Sequence, residues 1–145
     1  NPVNALSGLP LRQQLLDRGY RRVAAALQTE ALALLQQAGI SPAQLTPLPP
    51  QRVPAVLRLP TPLFRLVAAR MLKIDDQARS SMADDLALGR VTEIDALCGE
   101  VVRLAQAQGA AAPLNTKMVA LVEQQPQRAA PYSAAALISA LGLSA

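Results

Sequence analysis

Residues 20–39, YRRVAAALQTEALALLQQAG, form the segment that most limits how this chain can fold. Its apolar residues recur at intervals of three and four: Val23, Leu27, Ala31, Leu34 and Leu35. That spacing predicts a long amphipathic helix, with Arg21, Gln28 and Gln36 off the apolar face. Gly39 is expected to end the helix in the left-handed conformation that glycine adopts without strain. The segment therefore favours a helical protein.

Six further segments have helical character: 9–19, 60–73, 80–89, 93–109, 113–125 and 131–142. Gly19 is the expected end of the first. The inward-facing residues expected in three of these segments are Leu11, Leu15, Leu16, Leu63, Leu66, Val67, Ala69, Met71, Ile94, Leu97, Cys98, Val101, Val102 and Ala105. Apolar residues make up 51% of the 145 residues but aromatic residues only 2%, so Leu, Val, Ile and Ala must fill the core. Since strand-forming runs and hairpin turns are scarce, we predict an all-α multi-helix fold in one domain, 1–145.

Residues 40–62 interrupt the helical pattern. Seven of the 12 prolines fall in this segment, which excludes a long regular helix. Residues 53–59, with Pro54 near the start, can still form one or two helical turns. We predict a connection that crosses the surface and is held down by four apolar side chains: Val53, Val56, Leu57 and Leu59.

The stretch 78–95, ARSSMADDLALGRVTEID, contains two expected helix starts joined by a tight turn. Ser80 or Ser81 can cap the first helix, because a serine hydroxyl accepts a hydrogen bond from a free backbone N–H. Thr92 is the expected cap of the second helix, with Asp95 as a weak capping-box partner.

One interpretation is that these polar residues only stabilise helix ends and have no further role. Under that interpretation Glu93 is a first-turn acid stabilised by the helix dipole, and Asn1 and Asn4 are polar residues at a frayed terminus. The alternative is a ligand site, because two neighbouring helix N-termini present N–H groups and hydroxyls to a carboxylate or phosphate. The residues alone leave both interpretations open.

The absence of histidine and the presence of a single cysteine exclude several kinds of site. This chain alone cannot form a Ser-His-Asp triad, a Cys-His pair, a histidine-ligated metal site or an internal disulfide. Cys98 is expected to be a small buried apolar residue. The sequence also lacks a glycine-rich phosphate loop. We predict no metal site.

The net charge of +4 does not indicate a nucleic-acid-binding protein. The basic residues are dispersed except for Arg18, Arg21 and Arg22, and the aromatic side chains that stack on bases are almost absent. No apolar run reaches the roughly 18 residues that span a bilayer, and no signal-peptide pattern is present. We therefore predict a soluble cytoplasmic protein with no nucleic-acid or membrane partner.

Three sequence segments together are similar to the C-terminal domain of ketopantoate reductases (2-dehydropantoate 2-reductases). The first is SSM followed by Asp85, TEID and Gly99. The second is NPVNAL, which resembles the family's Asn-Pro-Leu-Thr-Ala segment, and the third is APLNTKMVALV, which resembles its Pro-x-Asn-Thr helix. The anchors run in the family's order from Asn1 to about Val122, so the resemblance covers most of the chain.

The resemblance implies the second, all-helical half of an NADP-dependent oxidoreductase, a multi-helix bundle of the 6-phosphogluconate dehydrogenase-like kind. It implies that Asn1 and Ser81 bind the substrate, and that Ser81 binds the carboxylate of the substrate. It also implies that Glu93 lies beside the catalytic lysine and contacts the cofactor. That lysine would precede Asn1 by about eight residues, or two helical turns. Since the sequence begins without Met, we expect a piece of a longer protein whose N-terminal Rossmann domain is absent from this chain.

The implied reaction is the NADPH-dependent reduction of 2-dehydropantoate to pantoate, a step in pantothenate and coenzyme A biosynthesis. The fragment alone would be inactive, and we expect it to self-associate as a homo-oligomer through exposed apolar surface. Two positions depart from the family: Cys98 replaces a frequent Asn, and Leu11 replaces a further substrate-binding Asn. A related reductase of another 2-keto acid, and a helical interaction or dimerisation module without catalysis, are therefore the alternatives.

Overall fold

The computed structural model describes residues 1–44, 47–128 and 130–144, and over these ranges the chain contains helices and no strands. In chain order the helices are α1 (Pro2–Ser7), α2 (Leu11–Leu16), α3 (Arg18–Gln37), α4 (Val53–Arg58), α5 (Thr61–Val67), α6 (Ser81–Ala87), α7 (Glu100–Ala107), α8 (Pro113–Gln124) and α9 (Ala134–Leu141). Short 3-10 turns lie at Pro50–Arg52 and Gln125–Gln127, and a π-helical turn at Asp95–Gly99 precedes α7. The prediction of an all-α fold is confirmed.

The longest helix, α3, lies at the centre and contacts α1, α2, α4, α7, α8 and α9. It begins where Oδ1 of Asp17 accepts a hydrogen bond from the backbone N–H of Gly19 at 2.7 Å. It ends before Gly39, which has the predicted positive φ of 70°. Polar residues occur along the whole length of α3. No helix in the described part of the chain is long and apolar enough to cross a membrane.

The predicted role of Gly19 is wrong, because α2 ends at Leu16 and Gly19 lies in the first turn of α3. A Cβ on Gly19 would lie 2.7 Å from the Cβ of Ala134, at the start of α9. Glycine is needed here for close packing between α3 and α9 rather than to terminate a helix.

The main core is formed by α1, α3, α6, α8 and α9 together with the π-helical turn. Most of its members are non-aromatic, as the composition predicts: Val3, Leu6, Val23, Leu27, Met82, Ile94, Met118, Val122, Leu137 and Leu141. Cys98 belongs to this core and is 6% exposed, which confirms its predicted burial. Burial raises the pKa of the Cys98 thiol to about 11, so the thiol is protonated and unreactive at neutral pH.

Arg21 lies off the apolar stripe of α3, as predicted, but it is fully buried against the second side of the helix. Its guanidinium donates to the carbonyl oxygens of Leu15 at 2.8 Å, Leu57 at 3.0 Å and Leu59 at 2.8 Å. It also lies 4.2 Å from the centre of the Phe64 ring. These carbonyls belong to the ends of α2 and α4, where a short helix leaves C=O groups without a helical partner.

The core residues predicted for α5 are also wrong. Leu63, Leu66, Val67 and Met71 are 51%, 77%, 60% and 45% exposed, and Ala69 is exposed as well. The buried residues are instead Phe64 and Ala68, which pack with Ala25 and Leu57 in a second, smaller core. The helix is rotated toward Phe64 because that ring covers the Arg21 guanidinium.

Some other residues that were predicted to face inward are also more exposed than expected, because a different side of the helix faces the core. Leu97 is 42% exposed, although it was predicted to face inward. The side chains of Leu11, Leu15 and Leu16 are only half-buried, and Gln14 is the buried residue of α2.

The proline-rich segment follows its prediction over the described residues. A 3-10 turn at Pro50–Arg52 leads into α4, with Pro54 in the first turn. Leu57 is buried, and Val53, Val56 and Leu59 pack against the second core. Residues 45 and 46 of this segment lie outside the described residues.

We predict that Arg21→Met lowers the free energy of unfolding by about 3 kcal/mol, because it leaves several buried carbonyl groups without donors. The control is Arg65→Met at an exposed position of α5, which should change stability by less than about 0.5 kcal/mol. Urea denaturation followed by circular dichroism measures both. Equal stability of Arg21→Met and the unmodified chain would contradict the structural role of this arginine.

Candidate functional site

The structure places Asn1, Ser81 and Glu93 in direct contact, although they lie far apart in the sequence. The hydroxyl of Ser81 donates to Oε1 of Glu93 at 2.7 Å. The amide Nδ2 of Asn1 donates to the same carboxylate oxygen at 3.3 Å. All three residues are exposed to solvent. A hydroxyl, an amide and a carboxylate therefore share one accessible place on the surface.

Each of the three residues belongs to a different part of the chain. Asn1 is at the N-cap position of α1, Ser81 is the first residue of α6, and Glu93 immediately precedes the turn that leads into Asp95–Gly99. Asn1 and Ser81 come close together because α1 packs directly against α6.

The structure decides which of the two neighbouring serines caps α6. The hydroxyl of Ser80 accepts a hydrogen bond from the backbone N–H of Ala83 at 3.2 Å, with Ser80 in an extended conformation. Because Ser80 satisfies the helix end, the hydroxyl of Ser81 is free to contact Glu93.

Asn4 is a residue of this region that the sequence interpretation missed. It is 1% exposed, so it does not belong to a frayed terminus. Its Oδ1 accepts from the backbone N–H of Ser80 at 2.9 Å, and its Nδ2 donates to the carbonyl of Leu9 at 2.8 Å. Pro2 at the first helical position and Gly8 after the last are the signals that could have revealed α1.

The predicted cap at Thr92 is not formed. The segment begins as a π-helical turn with Ile94 at its N-cap position and no side-chain cap. Asp95 accepts from Arg103 at 2.8 Å instead of bonding to the backbone of Thr92. The wider π-helical turn buries both Cys98 and Gly99. The expectation of two regular helix N-termini side by side is therefore wrong, since only α6 has a regular capped start here.

Gly99 lies directly against the side chain of Asp95. A Cβ on Gly99 would overlap the carboxylate of Asp95. Arg103 holds that carboxylate in place and also contacts Glu100 at 2.7 Å. These contacts raise the pKa of Arg103, the bonds to Glu100 contributing most, so the arginine stays charged beside the turn that follows Glu93.

The Pro-x-Asn-Thr segment has a structural role. Asn115 is 2% exposed, and its backbone N–H and side-chain Nδ2 both donate to Oε2 of Glu30 at 2.8 Å. Oε1 of Glu30 accepts from the backbone N–H of Leu114 at 2.9 Å. A carboxylate from α3 therefore caps the N-terminus of α8, which fixes the two helices relative to each other.

A hydroxyl has only one proton to donate, and this limits what the surface group can do. Ser81 cannot donate to Glu93 and to an incoming carboxylate at the same time. An anionic ligand that bonds to the Ser81 hydroxyl must displace Glu93 from it, and the released carboxylate is then free to accept from a cation or another hydroxyl. The arrangement can therefore exchange partners when a ligand binds.

A cleft in the described part of the structure lies elsewhere. It has a volume of about 700 Å³ and lies between α3 and α4, with Arg58 as its one charged lining residue. The cleft is not lined by Asn1, Ser81 or Glu93. Among the described residues, no group of three or more acidic or cysteine side chains is arranged to hold a metal ion. The contacts of the Glu93 carboxylate, and not cavity volume, identify the candidate site.

Comparison with known proteins gives one family assignment. The family model described as Ketopantoate reductase PanE/ApbA C terminal matches residues 1–125. The matched range contains α1 to α8 and the residues Asn1, Ser81 and Glu93. No curated protein and no solved structure matches the chain.

The two neighbouring serines provide a matched pair of substitutions. We predict that Ser80→Ala lowers the free energy of unfolding by about 1 kcal/mol, because the cap of α6 is lost. Ser81→Ala should cost less than about 0.5 kcal/mol, since its hydroxyl is exposed and outside the cap. Thermal and urea unfolding of the two variants give the comparison. A greater loss in Ser81→Ala than in Ser80→Ala would reverse the assignment of the cap.

Proposed function

The chain belongs to the ketopantoate reductase C-terminal family, and from that premise we propose that it is the substrate-binding half of an NADP-dependent reductase. The proposed reaction is the reduction of 2-dehydropantoate to pantoate. The observation that supports it most is the meeting of Asn1 and Ser81 on one oxygen of Glu93. These are the three residues that the family resemblance selects before any geometry is known.

The chemistry of the three side chains suits a 2-keto acid. A substrate carboxylate accepts hydrogen bonds, and the Ser81 hydroxyl and the Asn1 amide are both donors. The ketone oxygen of the same substrate lies one carbon away from the carboxylate, so the two donors can serve both groups at once. Exposure of all three residues leaves room for a ligand to reach them.

Substrate binding is proposed to change the partner of Ser81. In the structure its proton is directed at Glu93 at 2.7 Å. When the substrate carboxylate takes that hydrogen bond, Glu93 is released as a negative charge beside the ketone. A free carboxylate at that place favours the charged form of a neighbouring lysine, which suits a proton donor.

The lysine and the phosphate-binding element are proposed to belong to a preceding Rossmann domain. The lysine would lie about eight residues before Asn1, on the same side of a helix that continues into α1. It would deliver the proton to the ketone oxygen as that oxygen becomes an alkoxide. The fragment without this domain is then expected to be inactive.

The donor and acceptor groups of this chain determine which part of NADP it could bind. The sequence contains no glycine-rich loop for the phosphates, so the chain by itself does not fit the phosphate half of NADP. The exposed carboxylate of Glu93 does fit ribose hydroxyls, because it has acceptor positions that Ser81 and Asn1 leave open. When bound, NADPH supplies the hydride for the ketone carbon.

A second 2-keto acid is the alternative substrate, and Cys98 is the observation that favours it. Where the family often has a polar Asn, this thiol is buried in the main core and protonated. It cannot replace the amide hydrogen bonds of Asn. A substrate that is less polar than 2-dehydropantoate at the corresponding position would fit this change.

Self-association is also proposed, and the exposed face of α5 supports it. Leu63, Leu66 and Val67 lie on one side of the helix and are all more than half exposed. A contiguous apolar face of this kind marks an interaction surface in many proteins. The face would support a dimer, and a dimerisation module without catalysis would use it in the same way.

We predict that Ser81→Ala and Glu93→Gln in the intact protein each lower kcat/KM for the 2-keto acid by roughly 10- to 100-fold, since the first removes a donor to the substrate carboxylate and the second removes the negative charge beside the ketone. Ser81→Ala should act mainly through KM and Glu93→Gln mainly through kcat. Matched controls are Ser139→Ala and Glu123→Gln, which remove the same groups at exposed positions of α9 and α8. The rate of NADPH oxidation measures all four variants.

Unchanged kcat/KM in both site variants, with lower melting temperatures, would support a purely structural role for their mutual hydrogen bond. Absence of NADPH oxidation by the unmodified protein with a panel of 2-keto acids would instead support the dimerisation module.

We predict that the 145-residue chain is a dimer in solution and that Leu66→Glu makes it a monomer, because a charge cannot be buried in an apolar contact. Leu88→Glu is the matched control. Leu88 is also exposed, at 62%, but it lies directly after α6 and not on the face of α5. Sedimentation velocity distinguishes the species. A monomeric unmodified chain at high concentration would contradict the proposed interface.

A further inference from the structure

Asn4 makes its two hydrogen bonds in only one orientation. Its Oδ1 contacts a donor, the backbone N–H of Ser80, and its Nδ2 contacts an acceptor, the carbonyl oxygen of Leu9. Exchanging the amide oxygen and nitrogen would place donor against donor and acceptor against acceptor. The backbone around Asn4 therefore fixes the direction of the side chain, and the side chain in turn fixes the distance between those backbone segments.

The bond from Asn4 reaches the backbone at the place where the candidate site begins. Asn4 lies one helical turn after Asn1 in α1, and Ser80 is the residue directly before Ser81. A second hydrogen bond in the same direction joins the Ser80 hydroxyl to the carbonyl of Asn1 at 3.4 Å. Through these two contacts, α1 and the start of α6 are held together within one residue of Ser81.

Apolar packing alone would not fix the position of α1 along α6. Val3 and Leu6 of α1 and Met82 and Ala83 of α6 are buried in the main core. Burial of such surface is favourable but has little directional preference, whereas hydrogen bonds restrict both distance and angle. A small slide of α1 along α6 would keep the core buried and still move Asn1 away from Ser81.

We propose that Asn4 is a positioning residue for the reaction proposed above: its amide sets the register of α1 against α6 and so holds Asn1 and Ser81 at the separation that a 2-keto acid requires. Asn4 is buried, so its side chain is not accessible to a ligand. It acts through Ser80 and Ser81. The inference rests on the proposed function, because it concerns the same site.

The test is a double-mutant cycle in the intact protein with Asn4→Leu, which keeps the size of the side chain and removes both hydrogen bonds. Asn4→Leu should lower kcat/KM by roughly 10- to 100-fold when Ser81 is present, since a displacement of about 1 Å at a reacting site can cost about 100-fold. In the Ser81→Ala background it should lower kcat/KM by less than about 2-fold, because the residue through which it acts is gone.

The control is Asn115→Leu, which also removes a buried asparagine that bonds to backbone and side-chain groups. Asn115 joins α8 to α3 through Glu30 and has no contact with Asn1 or Ser81 among its hydrogen bonds. It should lower the melting temperature as Asn4→Leu does, yet change kcat/KM at 25 °C by less than about 2-fold.

Should Asn4→Leu not fold, Ser80→Ala tests the same link from α6, because it removes the hydrogen bond to the Asn1 carbonyl. Its expected effect is a decrease in kcat/KM of about 3-fold that disappears in the Ser81→Ala background.

Two results would overturn the positioning role while the proposed function survives. One is an unmodified protein that reduces a 2-keto acid and an Asn4→Leu variant with the same kcat/KM. The other is a decrease in kcat/KM on Asn4→Leu that is equally large with Ser81 and in the Ser81→Ala background, which would mean that the two residues act independently. If the unmodified protein oxidises no NADPH with any 2-keto acid tested, the proposed function fails, and the positioning role is overturned with it.

Discussion

Short helices have many backbone groups without helical partners, and this constraint determines much of the structure. Apart from α3 and α8, each α-helix has only six to eight residues. Two buried side chains, Arg21 and Asn4, and one half-buried side chain, Glu30, satisfy backbone groups near helix ends. Arg21 donates to carbonyls at the ends of α2 and α4, Glu30 accepts from the N–H groups of α8, and Asn4 accepts from the N–H of Ser80 before α6. Because an unsatisfied buried polar group costs about 1–3 kcal/mol, these contacts decide how the helices meet.

The candidate site follows from the same constraint. Since Ser80 and Asn4 satisfy the start of α6, the next residue, Ser81, has a hydroxyl that the helix does not need. That hydroxyl bonds to Glu93, and so does the amide of Asn1 at the start of α1. A surface group of donors and a carboxylate is thereby held by a buried framework, which is the arrangement that precise ligand binding requires.

Periodicity predicted the helices well and their buried faces less well. The stripe of α3 and the burial of Cys98 follow from the spacing of apolar residues, and the motif resemblance selected Ser81 and Glu93, which share a hydrogen bond of 2.7 Å in the structure. Periodicity failed at Arg21, because it treats arginine as a surface residue and cannot show that backbone carbonyls surround it. In α5 it favoured Leu66, whereas packing against the guanidinium selected Phe64.

The central claim is that a substrate carboxylate takes the Ser81 hydroxyl from Glu93. A crystal structure of the intact protein with oxidised NADP and the 2-hydroxy acid product tests it most directly. The account predicts the product carboxylate within about 3 Å of Ser81 Oγ, with Glu93 turned to a lysine or to the cofactor. A product bound in the cleft beside Arg58, with Ser81 still donating to Glu93, would contradict it.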